Sequence, residues 1–128
     1  MKVRLGFVTN SSSSSYIIAK HKDCTLEEIK QSLSTNIDKI ISWLIDYGPY
    51  WNMPEEAENL IKEEKYESAA LIVIDDFAEL FYRIGSTELE PWKVDFGECG
   101  TDSCGWQSFL YEYGYCLSTK NFKVEFEY

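Results

Sequence analysis

A chain of 128 residues with 45% hydrophobic and 16% aromatic side chains is long enough for one buried core and too short for two ordinary domains. Its 22 acidic against 12 basic residues leave a net charge of −10, which argues against the cationic surface that a nucleic acid or an anionic membrane requires. The aromatic content is too high for a disordered chain, and the longest apolar segment, 69–74, falls far short of the roughly 20 residues that cross a bilayer.

The first eight residues, Met1 to Val8, carry two cations but no continuous apolar stretch of signal-peptide length. A cytoplasmic location is expected, with the four cysteines reduced. Five serines, Ser11, Ser12, Ser13, Ser14 and Ser15, then stand between two segments of β-forming character, Val3 to Val8 and Tyr16 to Ala19. Serine buries no apolar area and bonds its own backbone in turns, so residues 1–20 read as an amino-terminal hairpin with a serine-rich connection. The functional alternative is a modification or recognition loop, because five hydroxyls and successive amides suit phosphorylation, anion binding or a processing enzyme. A nucleotide phosphate loop is not among the options, since Gly-x4-Gly-Lys-Ser/Thr is absent. The wording Arg4-x-Gly6-Phe7-Val8-x-Asn10, followed by Ser11 to Ser15 and Tyr16, resembles an amino-terminal signature of poorly characterised proteins from bacteria, archaea and their phages, usually followed by unrelated remainders. The resemblance implies a phage or prophage origin. It assigns no activity, and therefore no catalytic residues.

Farther along, Leu26, Ile29 and Leu33 recur at helical spacing behind Thr25 and Glu28, a capping box in which each side chain serves an amide at the helix start. The pattern resumes through Ile37, Ile40, Ile41, Leu44 and Ile45, with Asn36 as a second cap and Gly48-Pro49 as the stop; two helices or one bent helix both satisfy it. Pro54 and the glutamates after it predict a short helix. The β-branched run Leu71 to Asp75 predicts a central buried strand, and Phe77 to Ile84 fits either a helical face or a further strand. Beyond the break at Glu90-Pro91, Trp92 to Phe96 alternates as a strand, Gly97 to Gly105 reads as a loop and Trp106 to Tyr113 as a short helix. Asn121 to Tyr128 alternates as a last strand with Phe122, Val124 and Phe126 on one face. The fold class predicted for residues 1–128 is α+β: a single small domain, mostly antiparallel sheet with two to four helices.

Four constellations carry candidate chemistry or binding. His21, Cys24, Cys99 and Cys104 supply the four soft ligands of a structural zinc site, although Cys-x4-Cys and His-x2-Cys are loose spacings, and reduced thiols beside a surface histidine are the plainer reading. No other cofactor is indicated. Cys104-Gly105-Trp106 faintly resembles the nucleophile segment of papain-like proteases, but that chemistry needs a downstream histidine and His21 lies far upstream. Asp75, Asp76 and Glu79 offer hard oxygen ligands for a divalent cation after the predicted strand, or else cap a helix start. Tyr50, Trp51 and Trp106 stand beside glycine or proline, where large aromatics serve as binding contacts. With no catalytic acid–base pair in the sequence, the reading is a small acidic protein that binds another protein, one with a basic surface; a homodimer is also compatible. The alternative is a divalent-metal enzyme built on the three carboxylates.

Overall fold

The computed structural model describes residues 14–50, 52–99 and 106–127, with the backbone alone at Ser14, Cys99, Phe126 and Glu127. These residues hold strands β1 (Ser14–His21), β2 (Thr87–Leu89), β3 (Trp92–Cys99) and β4 (Phe122–Glu127), in the sheet order β2-β3-β1-β4. Every pairing is antiparallel. Helices α1 (Leu26–Thr35), α2 (Ile37–Tyr47), α3 (Glu55–Lys62), α4 (Tyr66–Arg83) and α5 (Trp106–Tyr113) complete the fold, with a 3-10 turn at Gly114–Cys116. The α+β class is the expected one. Among the described residues the helices number five instead of two to four, because Asn36 separates α1 from α2 and because the predicted central strand is helical.

Leu71 to Asp75 lies inside α4, not in a sheet. Its buried residues, Ala69, Ala70, Val73, Ile74, Phe77, Ala78 and Phe81, recur every three or four positions, while Leu71 is exposed. A short β-branched run has no periodicity of its own; the alanines before it and the aromatic stripe after it extend one helical face over 18 residues, and that face decides the outcome. Phe77 to Arg83 accordingly continues the same helix, ending at an extended Ile84. The stripe sits at the centre of an aromatic ladder: Phe77 meets Trp43 at 5.7 Å and Phe109 at 5.5 Å, and Phe81 meets Phe122 of β4 at 5.9 Å. Such ring pairs contribute about 0.5–1.5 kcal/mol each beyond the area they bury.

Tyr16 and Ile18 of β1 join this core together with Phe122 and Val124 of β4, as the alternation of the last strand predicts; the Phe126 side chain is outside the description. The first arm of the predicted hairpin, Val3 to Val8, lies outside the described residues. Both edges of β1 are filled, by β3 along its whole length and by β4 from Ser15 to Lys20. The serine run is expected to be loop throughout, yet Ser14 and Ser15 are already strand, held by ladder pairing to Cys99 and Glu98; this pairing outweighs the weak β-preference of serine. β3 likewise runs through Gly97 to Cys99, past the expected loop start. Gly97 is needed there, since its cross-strand partner Tyr16 lays its ring where any Cβ would stand.

Polar contacts bolt α1 to the carboxyl-terminal part of the chain. Thr25 Oγ1 accepts from the Glu28 amide at 3.2 Å, half of the predicted capping box. The other half is not made. The Glu28 carboxylate instead accepts from the Asn121 amide at 2.8 Å, from Asn121 Nδ2 at 2.9 Å and from the Thr119 hydroxyl. Asn36 is likewise diverted from capping α2: its Nδ2 donates to the carbonyls of Ser32 at 2.8 Å and Cys116 at 3.2 Å. Ser32 Oγ donates to the Leu117 carbonyl at 2.7 Å. Beyond these bolts, the free edge of β4 is closed by its own lead-in. Val124 donates to Ser118 Oγ at 3.0 Å and its carbonyl accepts from the same hydroxyl at 3.3 Å, while Phe122 and Thr119 exchange bonds of 3.1 and 2.6 Å. An edge satisfied in this way offers no template for a further strand along these residues.

Burial opposes ionisation of Glu28, but the bonds from Thr119 and Asn121 outweigh it and hold the carboxyl below its ordinary value. A depressed carboxylate stabilises the fold above its unfolded value and loses that contribution as pH falls through the folded one. Glu28→Gln should therefore cost about 1–3 kcal/mol at neutral pH. In urea unfolding followed at neutral and acidic pH, the deficit should shrink as the carboxylate range is crossed; a deficit of constant size would contradict the assignment.

Candidate functional site

The sequence-predicted carboxylates do not converge. Asp75, Asp76 and Glu79 lie mid-helix on α4, so they neither follow a strand nor cap a helix start. Asp75 pairs with Lys30 at 3.4 Å, Asp76 accepts from the Tyr50 hydroxyl at 2.7 Å, and Glu79 faces Arg83 at 4.0 Å. The half-buried Tyr50, expected as a surface contact, packs between Trp43 at 5.4 Å and Phe77 at 5.6 Å. Burial first, then the Asp76 hydrogen bond, raises its hydroxyl far above the ordinary tyrosine value. Trp106 serves the core in the same way, edge-on to Tyr16 at 6.0 Å and to Phe81 at 5.9 Å. Trp51 is outside the described residues, as are Cys104 and Ser11 to Ser13.

Of the four candidate soft ligands, His21 and Cys24 are described in full and Cys99 by its backbone, and His21 and Cys99 stand far apart. In the β1–β3 ladder His21 stands opposite Trp92 and Cys99 opposite Ser14. His21 and Cys99 thus lie seven residue steps apart along the ladder, about 23 Å at the strand rise. His21 Nδ1 accepts from the Asp23 amide at 3.0 Å, and its ring meets Trp92 edge-on at 5.0 Å. Cys24 is buried. Among the described residues no group of three or more His, Cys, Asp or Glu side chains is placed to hold a metal ion.

A different feature stands out: the sheet face turned away from the helical core. On β1 the core takes Tyr16 and Ile18, leaving Ile17 and Ala19 on the opposite face. Ladder partners share a face, so Phe96 and Val94 of β3 lie beside Ile17 and Ala19, and Trp92 lies beside His21. β3 therefore turns its apolar residues outward and Lys93, Asp95 and Gly97 inward. The polar side is pinned. Gly97 gives room to Tyr16, and Asp95 accepts from the amides of Gly85 and Ser86, both at 3.1 Å, and from the Ser86 hydroxyl. The Ser86 hydroxyl bond leads the effects that hold the Asp95 carboxyl below its ordinary value, with burial opposing and the two amides assisting.

The outward side forms a shallow hollow of about 290 Å³ lined by Ile17, Ala19, Leu89, Trp92 and Val94, with Lys123 and Glu125 of β4 on its rim. Val94, only 5% exposed though outside the core cluster, makes the floor; Phe96 and Leu89 stand 61% and 55% exposed beside it. Sequence reading missed this face. The alternation Trp92-x-Val94-x-Phe96 was visible, but alternation alone says that one face is apolar and not which face meets the helices. A second polar cleft, lined by Glu28, Gln31, Ser32, Thr35, Asn36, Cys116, Ser118 and Thr119, is built largely of the groups that bolt α1 in place. Compared with known protein families, curated proteins and solved structures, the chain matches none.

Burial, then the nearby Glu28 carboxylate, pushes the Cys24 thiol up to about 11, the opposite of an activated nucleophile. Alkylation of the Cys24 peptide by iodoacetamide at mildly basic pH, read by mass spectrometry, should be slower in the native protein than in urea by about tenfold or more. Equal rates would contradict the assignment.

Proposed function

We propose that the protein acts by binding another protein, and that the binding surface is the outer face of the sheet. The observation that carries this reading is the polarity of β3, whose Trp92, Val94 and Phe96 face away from the core while Lys93, Asp95 and Gly97 face it. Burying a phenylalanine or leucine is worth about 1.5–3 kcal/mol, and Phe96 and Leu89 realise little of that in the isolated chain. Clustered aromatic and aliphatic side chains around a hollow are the ordinary composition of a binding hot spot. Strand addition at β4 is a poorer mode, because Ser118 and Thr119 occupy that edge.

Charge restricts the partner. A net charge of −10 disfavours nucleic acid, and the exposed Glu98 and Glu125 beside the apolar centre call for bases on the opposing surface. This retains the expectation of a protein partner with basic groups and moves its site from the loop aromatics to the sheet.

A photo-activated cross-linking residue at Leu89, irradiated in the native host, should give a discrete adduct that Phe96→Asp abolishes. The same residue at the exposed Glu79 on α4 should give none. Failure to obtain a discrete adduct from Leu89 would overturn the reading.

A further inference from the structure

The outer face carries two adjacent rows of side chains with opposite character. In the first, ladder pairing sets Phe96 beside Ile17 and Ile17 beside Glu125. In the second, two residues along each strand, Val94 lies beside Ala19 and Ala19 beside Lys123. The first row is bulky and ends in an acid; the second is small and ends in a base. The bulky row stands proud, with Phe96 well exposed, whereas Val94 floors the hollow beside it.

Resting on the binding-face reading above, we infer that the partner is a second copy of this chain, joined face to face by a two-fold axis crossing the strands at the level of Ile18. That axis exchanges the two rows. Phe96 of one copy then enters the hollow over Val94 and Ala19 of the other, and Ile17 meets Ala19. Glu125 of each copy meets Lys123 of the other, which makes two symmetry-related ion pairs from one pair of residues. The contact is isologous and closes after two subunits, the commonest form of symmetric assembly. Two stacked sheets in this arrangement are an aligned sandwich with about 10 Å between them.

The Glu125–Lys123 match favours this occupant and this orientation. Two chains of −10 repel at long range, so self-association needs a surface on which acids face bases. Sliding one sheet along the other by two residues would set Glu125 against Glu125 or Lys123 against Lys123, and the ion pairs thereby select the register more than they add affinity. Joining copies edge to edge through β4 is opposed by the bonds that Ser118 and Thr119 make to Val124 and Phe122.

Sedimentation equilibrium of the purified full chain from micromolar to millimolar concentration provides the test, with circular dichroism checking that each variant is folded. The wild type should approach twice the 14.9 kDa chain mass. Lys123→Glu alone and Glu125→Lys alone should each weaken self-association by about tenfold or more, because each sets like charges face to face. An equimolar mixture of the two should recover the doubled mass, since one copy then presents two acids to the other's two bases. Phe96→Asp should remain at the chain mass. A wild type that stays monomeric throughout overturns the inference, and if Leu89 still forms a discrete adduct of another mass, the binding face itself survives. A dimer indifferent to all three substitutions, or a mixture that fails to recover it, also overturns the inference.

Discussion

The fold depends on one strand having a neighbour on each side. β1 carries β3 on one edge and β4 on the other, so its backbone is fully engaged and only its two faces remain to be satisfied. One face delivers Tyr16 and Ile18 to the helical layer. Tyr16 then fixes the register of β3, because only glycine tolerates the ring laid across position 97. With Gly97 inward, Asp95 must also face inward, where the Gly85–Ser86 turn captures its carboxylate, and Val94 and Phe96 must face out. A shift of one residue would bury the apolar side of β3 and strand the aspartate outside. The exposed apolar face is thus a consequence of how the core is built.

The helical layer is held by apolar and polar means that do different work. α4 supplies the aromatic stripe against which Trp43, Phe109 and Phe122 pack, and this contact area dominates the stabilisation. Glu28, Ser32 and Asn36 contribute direction: the side chain of each reaches the segment 116–121. The chain of bonds from Phe122 through Thr119 to Glu28 joins that anchoring to the closure of the β4 edge. The same few polar residues therefore fix α1 and close the β4 edge of the sheet.

Much of this was legible from residue order. Thr25 and the spacing of Leu26, Ile29 and Leu33 announced α1; Gly48 announced the end of α2, where it adopts φ 68°; Pro54 and its glutamates announced α3. The alternation in 92–96 and 121–128 announced β3 and β4. Leu71 to Asp75 was not legible as helix, because its four apolar residues fit either period and the deciding alanines and phenylalanines lie on both sides of them. Glu28 and Asn36 look like local caps, and their partners at Asn121 and Cys116 are some 80 to 93 residues away. The candidate site was hidden for a related reason. Tyr50 and Trp106 carry the composition of binding residues but are drawn into the core, whereas Phe96 looks like a core residue and faces out because Tyr16, 80 residues earlier in sequence, occupies the other side of β3.

In the proposed dimer, a face fixed by Tyr16 and Gly97 is completed by the same face of another copy. The most direct measurement is isotope-filtered nuclear magnetic resonance on an equal mixture of labelled and unlabelled chains. Intermolecular contacts are expected between the Phe96 ring of one chain and the methyl groups of Val94 and Ala19 of the other. Intermolecular contacts that instead come from the helical layer, with the Phe96 ring free of them, would contradict it.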